Sequence, residues 1–184
     1  MIAIVAIGTY HRARAARSRE KISRKEEGKL IWLRLFGLCL WLAVIAYLIN
    51  PEWMQWSALP SPRWLRWVGV GLAVLCVPLA YWVFSSLGKN VTDTVVTRKN
   101  HTLVTTGPYR WIRHPLYVVV LLLCISLSLL MSSWFIWMTA VPLIFYLVIR
   151  TPIEEAKLIE RFGDQYRVYM DRTRRFFPRL GPRK

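Results

Sequence analysis

The 184-residue chain is predicted to be an all-α integral membrane protein. About four transmembrane helices are expected, the last two as a helical hairpin, with a cytoplasmic loop and a C-terminal helical tail built against them. Three observations carry this. Hydrophobic residues make up 55% of the chain, ten are Trp, and the mean hydropathy is +0.32, too apolar for an ordinary soluble domain. Apolar runs recur at the lengths that membranes demand. The formal charge of +16 comes mostly from Lys and Arg flanking those runs, as at cytoplasmic membrane ends, and is not read as a nucleic-acid surface.

Taken in order, residues 1–29 form a short apolar N-terminus and a basic segment. Met1 to Tyr10 is apolar for only ten residues, about 15 Å as helix, which falls short of a hydrocarbon core of about 30 Å. Arg12, Arg14, Arg17 and Arg19 follow it, the reverse of the order in a secretory signal peptide. The end of an additional helix and an interfacial anchor both fit. His11 to Lys29 carries eight Lys and Arg against three Glu and reads as a solvated cytoplasmic helix beside anionic lipid.

Residues 30–84 hold the first two spans. Leu30 to Asn50 is apolar except for Arg34, close enough to its start to snorkel. Pro51 to Pro62, with two Trp and three Pro, suits a short interfacial crossing with aromatic anchors. Trp64 to Phe84 is the second span, with Pro78 predicting a kink. Residues 85–184 are the functional region. Ser85 to Arg113 is polar and longer than a simple connector needs. Leu116 to Met131 and Trp134 to Ile149, divided by Ser132-Ser133, are each 16 residues and suit a tight hairpin. From Arg150 the chain turns Glu-rich and then Arg-rich, as an amphipathic tail would.

Charge tests the layout. The segments 11–29, 85–115 and 150–184 contain 23 of the 26 Lys and Arg, so the loop and the tail fall on one cytoplasmic side. Their polar residues can then share one pocket.

The loop's core is His101 to Tyr117, with two of the three histidines and the Gly107-Pro108 and His114-Pro115 breaks that impose an ordered turn. Arg150 and Glu154 stand one helical turn apart, which fits an i,i+4 ion pair as readily as a site. His114 could simply cap the following helix. No Ser-His-Asp order, His-Glu-x-x-His, nucleophile elbow or glycine-rich dinucleotide loop is present. Cys39, Cys76 and Cys124 lie apart within apolar runs and imply neither disulfide nor metal.

His101-Thr102-Leu103-Val104, Gly107-x-Tyr109, Arg113-His114-Pro115-x-Tyr117, Arg150-Thr151-x-x-Glu154-Glu155-x-x-Leu158 and Phe162-Gly163-x-x-Tyr166-x-x-Tyr169 follow one another in this order. Together they resemble the isoprenylcysteine carboxyl methyltransferase family over roughly Ser85 to Pro178. Phe176-Phe177-Pro178 resembles its prokaryotic members. The resemblance implies S-adenosyl-L-methionine (SAM) as cofactor, surrounded by His101, Thr102, Leu103, Val104, Tyr109, His114, Pro115, Leu116 and Tyr117. Glu154 would hold its amino end and Arg150 would face the acceptor carboxylate. Thr94 stands where eukaryotic relatives carry a cofactor-contacting Gln, so no role is transferred there.

Elementary chemistry agrees with that cofactor site. SAM carries a sulfonium, an ammonium and a carboxylate, so an anion such as Glu154 and donors such as His114 suit it at a wet interface. The implied partners are a lipophilic or prenylated acceptor entering from the bilayer, and membrane lipids; neither nucleic acid nor an obligate protein partner is indicated. An acceptor carboxylate is already ionised, with a pKa of about 3.5, and needs no general base. A lipid amine acceptor would need one, drawn from His101, His114 or Glu155. A non-enzymatic membrane scaffold would account for the hydropathy but not for the ordered polar motifs.

Overall fold

A computed structural model of the chain describes residues 6–10, 24–88 and 102–179. Every regular element among them is helical. They are α1 (Arg24–Ile49), a 3-10 turn (Pro51–Ser57), α2 (Arg63–Leu87), a second 3-10 turn (Gly107–Arg110), α3 (Pro115–Met131), α4 (Trp134–Phe162) and α5 (Asp164–Arg172).

Helices α2 and α4, of 25 and 29 residues, are long and apolar enough to cross a membrane. Only 28% of the apolar window of each is buried, which separates them from the core helices of a soluble protein. On α4 the exposed residues Trp134, Met138, Val141, Phe145 and Val148 recur every three or four positions, a stripe suited to lipid. Arg34–Ile49 and α3 are shorter apolar helices. The protein is an integral membrane protein.

Two features differ from the sequence expectation. Helix α2, with Pro78 inside it, runs past the expected Phe84 to Leu87. Helix α4 does not stop at Ile149 but runs on to Phe162, because Glu154-Glu155-Ala156-Lys157-Leu158 are strong helix formers. Gly163, at φ +54°, then ends it. Arg150, Glu154 and Glu155 therefore project from a continuation of the spanning helix, which fixes them more firmly than a separate tail could.

The chain divides into two compact units, one of Met1–Ile22, Val77–Val119 and Ile149–Lys184, the other of Ser23–Cys76 and Val120–Val148. In the second, Asn50 caps the 3-10 turn by accepting from Glu52 N at 2.9 Å. The α3–α4 turn is tied down by serines. The buried Ser57 and Ser133 hydroxyls bond at 2.8 Å, and Ser132 Oγ accepts from Ser61 Oγ at 2.7 Å and Arg66 Nε at 3.1 Å. Leu59 N donates to Ser132 O at 2.6 Å. These bonds hold Ser132 at φ +48°, a conformation a side chain seldom adopts.

Gly69 on α2 lets α3 approach closely: a Cβ there would lie 2.7 Å from Leu130 N and 2.9 Å from Ser126 O. Ser126 Oγ in turn donates to Gly69 O at 2.9 Å.

In the first unit, Ala80, Val83 and Phe84 of α2 form a buried cluster with Tyr109 and Val119, against which Val104 and Leu116 pack. Gly107 is required there twice over. Its φ is +60°, and a Cβ would collide with Ser86 Oγ.

The backbone contact at Gly69 yields a prediction of sign. Gly69→Ala gains about 1 kcal/mol in helix propensity, but overpacking against rigid backbone costs about 1–3 kcal/mol. The variant should melt below wild type in detergent, and a higher melting temperature would contradict the close α2–α3 approach.

Candidate active site

The loop before α3, the end of α4 and the chain after α5 meet within the first unit. Pro115 begins α3, where its missing N–H has no cost. The His114 carbonyl accepts from Tyr117 N at 3.2 Å and Val118 N at 3.4 Å. Backbone bonds then fix the tail alongside: Arg113 N donates to Arg174 O at 2.8 Å, and His114 N to Arg175 O at 2.9 Å.

Two carboxylates of successive α4 residues face this loop. Glu154 accepts from Tyr117 Oη at 2.7 Å and pairs with Arg150 Nε at 2.8 Å. Glu155, whose side chain is 3% exposed, accepts from Arg113 Nε at 2.7 Å on one oxygen. Its other oxygen accepts from Arg175 Nε at 2.9 Å and Nη2 at 2.7 Å. Arg113 Nη1 also donates to the carbonyls of Met170, at 3.0 Å, and Thr173.

The buried imidazole of His114 lies between the two carboxylates. Nδ1 is 3.7 Å from Glu154 Oε2 and Nε2 3.5 Å from Glu155 Oε1. Nε2 has no hydrogen bond. The ring stacks on Tyr117 with centroids 5.2 Å apart and is flanked by Phe176 at 5.9 Å. The His114 side chain therefore faces the carboxylates and leaves helix capping to its backbone.

Behind the carboxylates stand three buried tyrosines. Tyr169 Oη donates to Tyr109 O at 2.7 Å, and Thr173 Oγ1 to Tyr169 O at 2.6 Å. Burial pushes the phenols of Tyr109 and Tyr166 up and that of Tyr169 up to about 12, so all three remain neutral hydrogen-bond donors.

Of the residues expected around a cofactor, His114, Tyr117 and Glu154 come together as one polar cluster with Arg150, the residue expected to face the acceptor. Pro115 is buried beside it. Val104, Tyr109 and Leu116 instead belong to the apolar cluster against α2, and only the Tyr109 carbonyl joins the polar network. Thr102 is exposed and Leu103 half-buried; His101 lies outside the described residues. Arg150 takes up the i,i+4 pair with Glu154.

Sequence reasoning gave no structural part to Arg113 or Arg175, and considered Glu155 only as a base. Arg113 and Glu155 sit inside the quoted motifs, which was signal enough. Arg175 is one of ten basic residues beyond Ile149 and carried none. Among the described residues no group of His, Cys, Asp and Glu is placed to hold a metal.

A carboxylate, an imidazole and a guanidinium thus come together at the polar end of an apolar helix, as ionisable groups in membrane proteins do when they are paired. The profile of the isoprenylcysteine carboxyl methyltransferase (ICMT) family matches residues 69–160, half of the chain, and the chain belongs to that family.

It is 30% identical over 135 residues to the protein-S-isoprenylcysteine O-methyltransferase of Mus musculus, covering 64% of this chain but 43% of the mouse protein. It is 26% identical over 143 residues to the uncharacterized protein YpbQ of Bacillus subtilis, covering 73% and 79%. The solved eukaryotic intramembrane Ras methyltransferase ICMT shares the fold with a TM-score of 0.57 at 23% identity, over 82% of this chain and 53% of that one. The chain thus spans less than half of the mouse relative and about half of the solved one.

Tyr169→Phe removes the hydroxyl donor to Tyr109 O and is expected to cost about 1–3 kcal/mol, read as a lower melting temperature in detergent. The phenol ionises at about pH 10 when unfolded and about 12 when folded. Its stabilisation is therefore complete below pH 10 and is lost as pH rises toward and through 12. A pH-melt series should show an alkaline loss that is smaller in Tyr169→Phe.

Proposed function

We propose that the protein is a SAM-dependent methyltransferase that esterifies the carboxylate of an isoprenylcysteine-like or other lipophilic acceptor at the cytoplasmic face of the membrane. The observation that carries this is the convergence of Tyr117, Arg150 and His114 on Glu154 within one compact unit. Residues 85–184 are taken as the methyltransferase region. Four spans, with α1 and α3 joining α2 and α4, would set loop and tail on the cytoplasmic side, in keeping with the concentration of Lys and Arg there.

The donor set suits the cofactor. Glu154 is an oriented anion for an ammonium group, with Tyr117 Oη fixing one of its oxygens at 2.7 Å. His114 Nε2, buried without a hydrogen bond, offers one more polar atom. Bound there, SAM would supply an electrophilic methyl group on sulfonium.

Arg150 is the residue to align the acceptor carboxylate, one of whose oxygens forms the new bond to the methyl carbon as the bond to sulfur breaks. The products are a methyl ester and a neutral thioether. The carboxylate arrives ionised, so no residue has to remove a proton. Exclusion of water at the helix ends keeps the nucleophile poorly solvated and reactive.

Purified protein in detergent, titrated with SAM and then assayed for transfer of labelled methyl to prenylcysteine analogues and to membrane lipid extract, tests the reading. Glu154→Gln should abolish SAM binding, whereas Arg150→Ala should retain affinity within a few-fold and lose turnover. A wild-type protein that binds no SAM overturns the assignment, incorporation into lipid extract alone changes the acceptor class, and equal loss of binding and turnover in Arg150→Ala refutes its acceptor role.

A further inference from the structure

We infer that Glu155 is a positioning residue that clasps the C-terminal segment onto the donor site, so that residues 173–176 form a wall of that site. This rests on the methyltransferase reading. Glu155 binds no ligand group in that scheme: both its oxygens are occupied by guanidinium groups from two other segments, Arg113 of the loop and Arg175 of the tail. A carboxylate buried to 3% exposure persists only when it is compensated in this way.

The two arginines differ in setting. The Arg113 side chain is only 9% exposed and spends a second nitrogen on the Met170 and Thr173 carbonyls. Arg175 is 47% exposed, and its two bonds to Glu155 are a side-chain link from the tail to α4.

What the clasp holds is the backbone pair Arg113 N to Arg174 O and His114 N to Arg175 O, and with it Phe176 against the His114 ring. His114 is the group that faces Glu154 Oε2. Release of the tail therefore frees one side of the imidazole and unsettles its place beside Glu154. Donor affinity is coupled through Glu155 to a segment some twenty residues further along the chain.

The test uses the full-length protein in detergent, with Glu155→Gln and, because a buried change can prevent folding, Arg175→Gln at the half-exposed position. Hydrogen exchange without ligand reads the clasp alone: the amides of Arg113 and His114 should exchange at least tenfold faster in either variant, with global melting little changed in Arg175→Gln. SAM titration reads the coupling, with Kd and KM for SAM rising about tenfold while kcat stays within twofold. Arg175→Lys, which keeps charge but not the paired N–H donors to one oxygen, should recover part of both.

Unchanged exchange overturns the clasp, and so does a variant that binds SAM as wild type does. A fall in kcat at constant KM overturns the positioning role. A wild type that binds no SAM fails at the methyltransferase reading and takes the donor-site role with it, an outcome distinct from wild-type binding that survives unaltered in Arg175→Gln.

Discussion

Everything at the polar end of this protein depends on a carboxylate that cannot stand alone. An isolated ionised group moved into a poorly hydrated interior loses several kcal/mol of solvation even after relaxation. Glu155 has lost nearly all contact with water, and the chain answers with Arg113 from before α3 and Arg175 from beyond α5. Those arginines lie 62 residues apart in sequence, so one buried charge brings together a loop, a helix end and a tail. Glu154, its neighbour on α4, is then oriented by Tyr117 and Arg150 in surroundings that are already immobilised.

The two successive glutamates divide the work. Adjacent residues on a helix point about 100° apart, so one can face the structural pair of arginines while the other faces Tyr117 and Arg150. His114 occupies the angle between them, within 3.7 Å of both carboxylates, and its burial against Tyr117 and Phe176 keeps it there. An α4 that frayed at Ile149 would lose this division. Its continuation to Phe162, where Gly163 ends it, keeps Glu154 and Glu155 in helical register.

Hydropathy and charge placement made the apolar runs, the serine turn of the hairpin and the shared side of loop and tail legible, because membrane thickness and lipid charge act on composition directly. The cluster of His114, Tyr117, Arg150 and Glu154 was legible through ordered motifs, since spacing on a helix survives as spacing in sequence. Tyr109 and Val104 stand in the same motifs and also pack in the apolar cluster against α2. A motif records that a residue matters without saying whether its side chain faces ligand or core. Arg175 was illegible for another reason: a basic tail offers many equivalent partners, and the register of tail on loop, set by two backbone bonds, decides among them.

The Arg150–Glu154 pair bears on how the site would distribute its binding energy. A guanidinium that grips an acceptor carboxylate tightly favours the reactants, because the carboxylate loses charge as the methyl group is transferred. Glu154 competes for the same guanidinium at 2.8 Å, which weakens that grip. A cofactor ammonium drawn to Glu154 would relieve the competition and turn Arg150 toward the acceptor only when the donor is in place. On the proposed reading, each charge in the pair would hold the position of a ligand group of the same sign, the carboxylate that of the acceptor and the guanidinium that of the ammonium, and the pair would stay neutral until both arrive.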